Sequence, residues 1–130
     1  MLARLQRVGD FGVLCLSLQV LGAHGHPFAD GDAALEYLTK GDRWRDIDLV
    51  LADLTIPSRM GGFELARALT ERGSTLPVAG ISGYWQGHDS QVKDRGLLGV
   101  LGKPFDVDEL QEFVTKMLAL FDDTDRTDTP

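Results

Sequence analysis

Three residues of this chain could act together on an anion: Asp53, Ser82 and Lys103. Asp53 follows the apolar run Leu49-Val50-Leu51-Ala52, and Ser82 follows Pro77-Val78-Ala79-Gly80-Ile81. Lys103 comes just after Leu97-Leu98-Gly99-Val100-Leu101. A carboxylate, a hydroxyl and an ammonium brought to one place suit a phosphorylated or anion-bound carboxylate. The carboxylate is the nucleophile, the hydroxyl donates a hydrogen bond, and the ammonium neutralises charge. Taken singly, each has a plainer role: a turn or cap Asp, a capping Ser, a surface Lys. The case rests on all three standing at equivalent places.

Those places are strand ends. Leu49-Val50-Leu51 reads as a buried strand of a parallel sheet, and Pro57 prevents it from continuing as a central one. In open α/β sheets, ligands bind at the carboxyl edge of the strands. Residues 1–8 form the weakest element, and Gly9-Asp10-Phe11-Gly12 is a turn. In residues 13–21, Leu14, Leu16, Leu18 and Val20 alternate with Cys15, Ser17 and Gln19, which is strand periodicity. The run is assigned as a helix because Gly22-Ala23-His24-Gly25 ends one well. His26-Pro27-Phe28-Ala29 is a short edge strand. Asp32 is expected to cap a helix from Ala33 to near Gly41, with Trp44 in a loop beyond it.

A further helix carries Phe63, Leu65, Ala66 and Leu69 and stops before Gly73. Residues 83–87 form a loop and residues 89–95 a short polar helix. In the last helix Leu110, Phe113, Val114, Met117, Leu118 and Phe121 recur at helical spacing, with Asp106 or Asp108 capping its start. Residues 122–130 form an acidic Asp/Thr tail expected to be disordered. Alternation of strands and helices implies a doubly wound α/β fold with a parallel sheet and helices on both faces.

Composition narrows the function. With 130 residues the chain makes one domain, here 1–121, large enough to bury a core. The net charge of −7, with 13 scattered Lys and Arg, argues against a nucleic-acid surface. A single cysteine, Cys15, excludes a disulfide framework and a Cys-based zinc site. His24, His26 and His88 lack metal-ligand spacing, so a metal could be held only through carboxylates. Arg4 and Arg7 ahead of the apolar run resemble a weak secretory signal, but Asp10 precedes the run and no clean cleavage site follows. A cytoplasmic protein with no membrane partner is expected.

The motifs together resemble the response-regulator receiver domain of two-component signalling. They are Ala29-Asp30-Gly31, the stretch from Asp48 to Leu54, Pro57, Gly62-Phe63-Glu64-Leu65, Leu76-Pro77-Val78, Ile81-Ser82-Gly83 and Gly102-Lys103-Pro104-Phe105. They run in the family's order and close to its spacing from Ala29 to Leu118. The resemblance implies a flavodoxin-like five-stranded sheet of order 2-1-3-4-5. It also implies phosphoryl transfer onto Asp53 from a sensor histidine kinase or phosphotransfer protein. Ser82 would be the switch hydroxyl and Lys103 the phosphate contact. Mg²⁺ would be held, weakly, by Asp53, Asp10 and the carbonyl of Thr55. On this reading the chain is a signalling module and not an enzyme.

The departures from the family pattern are specific. The acidic pair that holds the metal falls on Val8 and Gly9, with Asp10 one step later, so at best one acid remains. Val100 stands where the family usually has an aromatic, and the loop after Pro57 is one residue longer, with Met60-Gly61 where an acid is common. These departures support an alternative, a phosphorylation-independent pseudo-receiver serving as an interaction scaffold. The apolar run 13–21, read as a helix, suggests homodimerisation or target docking through that helix. A flavodoxin-like cofactor binder fits poorly, since Val8-Gly9-Asp10-Phe11-Gly12 offers no Ser or Thr for a phosphate loop. A small hydrolase fits poorly too, for want of a second acid. No output domain is present, which fits a stand-alone receiver or a piece of a larger protein.

Overall fold

The computed structural model of the chain describes residues 12–19, 22–54, 56, 59–83 and 89–128. Strand β1 (Val13–Gln19) is followed by β2 (Gly22–Phe28), helix α1 (Gly31–Thr39) and a 3-10 segment (Lys40–Asp46). Then come β3 (Leu49–Asp53), α2 (Gly62–Glu71), β4 (Val78–Ser82), the short α3 (Asp89–Asp94), β5 (Val100–Gly102) and α4 (Val107–Asp128). The five strands form one sheet in the order β2-β1-β3-β4-β5, the expected order, but Val13–Gln19 takes the first-strand place given to residues 1–8, which lie outside the described residues. The sheet is mixed rather than wholly parallel. β3, β4 and β5 run parallel, whereas β1 is antiparallel to both β2 and β3.

The helix expected over residues 13–21 does not form. Its alternation belongs to β1, where Leu14 pairs with Leu51 on one side and Pro27 on the other. A strand in the middle of a covered sheet must be apolar on both faces, so its sequence matches a buried helix in everything but period. Leu14 and Leu16 enter one core cluster and Val13 and Cys15 the other. With residues 13–17 buried in a strand of the sheet, docking through an apolar first helix loses its basis.

Each face of the sheet is covered. Leu14, Leu16, Leu49, Leu51, Ala79 and Ile81 pack with Leu110, Val114 and Met117 of α4. On the opposite face Val13, Cys15, Val50, Ala52 and Val78 pack with Ala34 and Leu38 of α1, Leu65, Ala66 and Leu69 of α2, and Val92 of α3. Helix starts follow local chemistry. The cap of α1 is Asp30, not Asp32: the Asp30 Oδ1 accepts from the Ala33 N–H at 2.9 Å. Asp106 and Glu109 cap α4 reciprocally, each side chain accepting from the other's backbone N–H at 2.8 and 3.4 Å. Helix α4 continues to Asp128, so the backbone of residues 122–128 is helical where composition suggested an irregular tail. Among the described residues no helix is long and apolar enough to cross a membrane.

Candidate functional site at the carboxyl edge of the sheet

Because β3, β4 and β5 are parallel, their carboxyl ends share one edge, and the register sets the order of side chains along it. Asp53 lies opposite Ile81, and Ser82 lies opposite Gly102. Each candidate therefore sits one position beyond the partner of the previous one, with Lys103 following Gly102. Backbone hydrogen bonds lock this staircase. The Leu54 N–H donates to the Ile81 carbonyl at 2.9 Å, and the Lys103 N–H donates to the Ser82 carbonyl at 2.9 Å.

The Lys103 side chain closes back over the edge. Its Nζ donates to Asp53 Oδ2 at 2.7 Å, with side-chain exposures of 32% and 20% for the lysine and the aspartate. This is a charge-assisted contact in a setting that solvent reaches only in part. Ser82 is half-buried at the next strand end, and the Lys103-Pro104 peptide is cis. The structure thus brings Asp53, Ser82 and Lys103 to one edge, as their spacing suggests.

Two glycines at the site escape a reading of side-chain chemistry. The Gly12 carbonyl accepts from the Asp53 N–H at 2.7 Å, and Gly12 has φ +80°. A Cβ there would lie 2.4 Å from the Ala29 carbonyl oxygen, so the close approach of β1 to the end of β2 requires glycine. Gly61 lies against the backbone just after Asp53. A Cβ on it would lie 2.6 Å from the Leu54 carbonyl oxygen and 3.2 Å from that of Asp53. The signal for Gly12 was present only as part of a turn, Gly9–Gly12.

For a metal, Asp53 is a carboxylate at this edge, but nowhere among the described residues do three or more His, Cys, Asp or Glu gather. Mg²⁺ takes six oxygen ligands in an octahedron, usually one or two carboxylates together with waters. Asp10 and Thr55, the other two expected ligands, lie outside the described residues, as does Pro57. Val100 is half-buried and packs against the α1–α2 core cluster.

Comparison with known proteins bears on the family and the fold. The family model for the response regulator receiver domain matches residues 15–115, a span that begins after Asp10. Sporulation initiation phosphotransferase F of Bacillus subtilis (strain 168) is 31% identical over 115 residues, covering 85% of this chain and 89% of that protein. Sensor histidine kinase RcsC of Escherichia coli (strain K12) is 32% identical over 87 residues, or 66% of this chain, yet the chain spans only 9% of that kinase. Among solved structures, the receiver domain of the NarL regulator from Mycobacterium tuberculosis superposes with a TM-score of 0.57 at 26% identity, covering 69% of each chain. The Vibrio cholerae chemotaxis protein CheY4 gives a TM-score of 0.58 at 25% identity, covering 68% of this chain and 72% of its own.

Proposed function

The chain belongs to the response regulator receiver domain family, and we propose that it accepts a phosphoryl group on Asp53 and passes that state on by protein contact. The observation that carries this reading is the 2.7 Å contact of Lys103 Nζ with Asp53 Oδ2 at a parallel sheet edge that also holds Ser82. The relatives named as a sensor histidine kinase and a phosphotransferase support a phosphohistidine donor on a partner protein. In that transfer an Asp53 carboxylate oxygen attacks phosphorus while the P–N bond to the donor imidazole breaks. The imidazole nitrogen keeps the electron pair and takes up a proton, and Asp53 becomes an acyl phosphate.

Lys103 is placed to offset the added negative charge, and Ser82 to donate a hydrogen bond to a phosphoryl oxygen. Drawing Ser82 inward would displace the segment after β4, which is how the modification would be read by a partner. Mg²⁺ belongs to the proposal, with Asp10 and the Thr55 carbonyl assigned beside Asp53 as its ligands. The setting is cytoplasmic, and the role is that of a signalling module.

A second reading keeps the fold and drops the chemistry: a scaffold whose contacts do not depend on phosphorylation. The lack of any cluster of three or more His, Cys, Asp or Glu among the described residues favours it. One experiment separates the two. The protein is incubated with acetyl phosphate and Mg²⁺ and weighed intact beside Asp53→Asn. A single adduct, absent in the variant and after EDTA treatment, is the expected result. No adduct at any magnesium concentration from folded protein would leave the scaffold.

A further inference from the structure

We propose that Asp32 is a positioning residue for Asp53, acting through a latch on Met60. The inference rests on the reading of Asp53 as phosphoacceptor and adds a residue that the chemistry of the edge does not itself suggest. Asp32 sits in the first turn of α1 but does not cap it, since Asp30 fills that role. Its Oδ2 instead accepts from the Met60 backbone N–H at 3.2 Å. On the other side of the same residue, the Met60 carbonyl accepts from the Gly31 N–H at 2.8 Å. Both backbone groups of Met60 are therefore held by the start of α1. A Cβ on Gly31 would lie 2.7 Å from the Met60 carbonyl oxygen, so only glycine allows this approach.

The latch reaches the phosphoacceptor in one further step. Gly61, next to Met60, presses on the peptide after Asp53 closely enough that a Cβ would meet the carbonyl oxygens of Leu54 and Asp53 at 2.6 and 3.2 Å. The Leu54 N–H of that peptide donates to the Ile81 carbonyl at 2.9 Å, and the peptide before it donates through the Asp53 N–H to the Gly12 carbonyl at 2.7 Å. Gly61 supports this peptide from outside the sheet, and it follows Met60 directly in the chain. A nucleophile misplaced by a fraction of an ångström loses rate without loss of fold.

The test compares Asp32→Ala with Asp32→Asn. Both remove the charge, but only the asparagine keeps an acceptor oxygen for the Met60 N–H. The rate of Asp53 phosphorylation by acetyl phosphate should fall roughly three- to tenfold in the alanine variant, the scale of one hydrogen bond. It should return close to the original rate in the asparagine variant, with both melting well above the assay temperature. Gly31→Ala, which pushes Met60 from the opposite side, should slow the reaction in the same direction and serves if Asp32→Ala does not fold. Equal rates for all three proteins, or equal slowing by Ala and Asn, would overturn the proposal.

Amide exchange at Met60 and Leu54 keeps the proposal separate from the reading beneath it. If the unmodified chain takes no phosphoryl group at all, the phosphoacceptor assignment fails by itself. Faster exchange at both amides in Asp32→Ala but not in Asp32→Asn would still support the mechanical link. Unchanged exchange at Leu54 would remove it.

Discussion

The antiparallel and parallel halves of the sheet reach the same burial in different ways, and only one of them builds a site. In β3 and β4, four of the five residues are buried, and the final one, Asp53 or Ser82, is left partly exposed at the carboxyl edge. Parallel strands put every such end on the same side, so three strands supply three adjacent functional groups. β1 is as deeply buried, with Val13 through Leu16 at most 5% exposed, but it runs the other way. It therefore meets the edge with its beginning, and what it offers Asp53 is the carbonyl of Gly12.

Whether the two halves are one cooperative unit can be tested with Cys15, a buried thiol in the middle of β1. If they are, Cys15 reacts with a thiol reagent only through global unfolding, and labelling is slowed by at least about a thousandfold relative to the denatured chain. Labelling much faster than exchange of the β3 and β4 amides would show the antiparallel half opening alone. Burial also pushes the Cys15 thiol from its ordinary 9.0 up to about 12. The folded state then holds a proton that the unfolded state gives up. This contribution to stability is complete below pH 9 and falls as pH rises from about 9 towards 12. Urea titrations should show that decline in the native protein and a smaller one in Cys15→Ala.

The next effect in size compares side chains across the β1–β3 boundary. Leu16 and Leu51 are both fully buried in the cluster beneath α4. Replacing either with alanine should cost about 2–5 kcal/mol, the range for a buried leucine whose cavity collapses only partly. Comparable losses would make β1 as much a part of the core as β3. A loss at Leu16 under half that at Leu51 would mark the antiparallel half as peripheral to stability.

The smallest expected change in stability lies at the site itself. Lys103→Met keeps most of the side-chain stem and removes the ammonium from a pair that solvent reaches in part. Unfolding free energy should shift by less than about 1 kcal/mol, while phosphoryl uptake on Asp53 falls sharply. A large destabilisation would mean that Lys103 is held for the fold and not for the chemistry.

Much of the parallel half was legible without coordinates. Apolar runs that stop at Asp53, Ser82 and Gly102-Lys103 can be read as strands with functional ends, because each run is short and ends at a polar residue or glycine. The spacing of Leu110, Val114 and Met117 located α4 equally well. Residues 13–21 were not legible, since a strand buried on both faces and a buried helix are both apolar throughout. Asp32 was misassigned for a related reason. Two acids flank Gly31, either can cap a helix, and the partner of the second, Met60, lies 28 residues away.

By itself, then, the sequence determined which residues could do chemistry here and that parallel strands would deliver them to one edge. Local pattern suffices for that, because a parallel strand's end is set by its own residues. Only the tertiary structure decided the direction of β1, the need for glycine at Gly12 and Gly61, and the tie from Asp32 to Met60. Each of these depends on how closely two distant stretches of backbone approach, and no local period or motif encodes that distance.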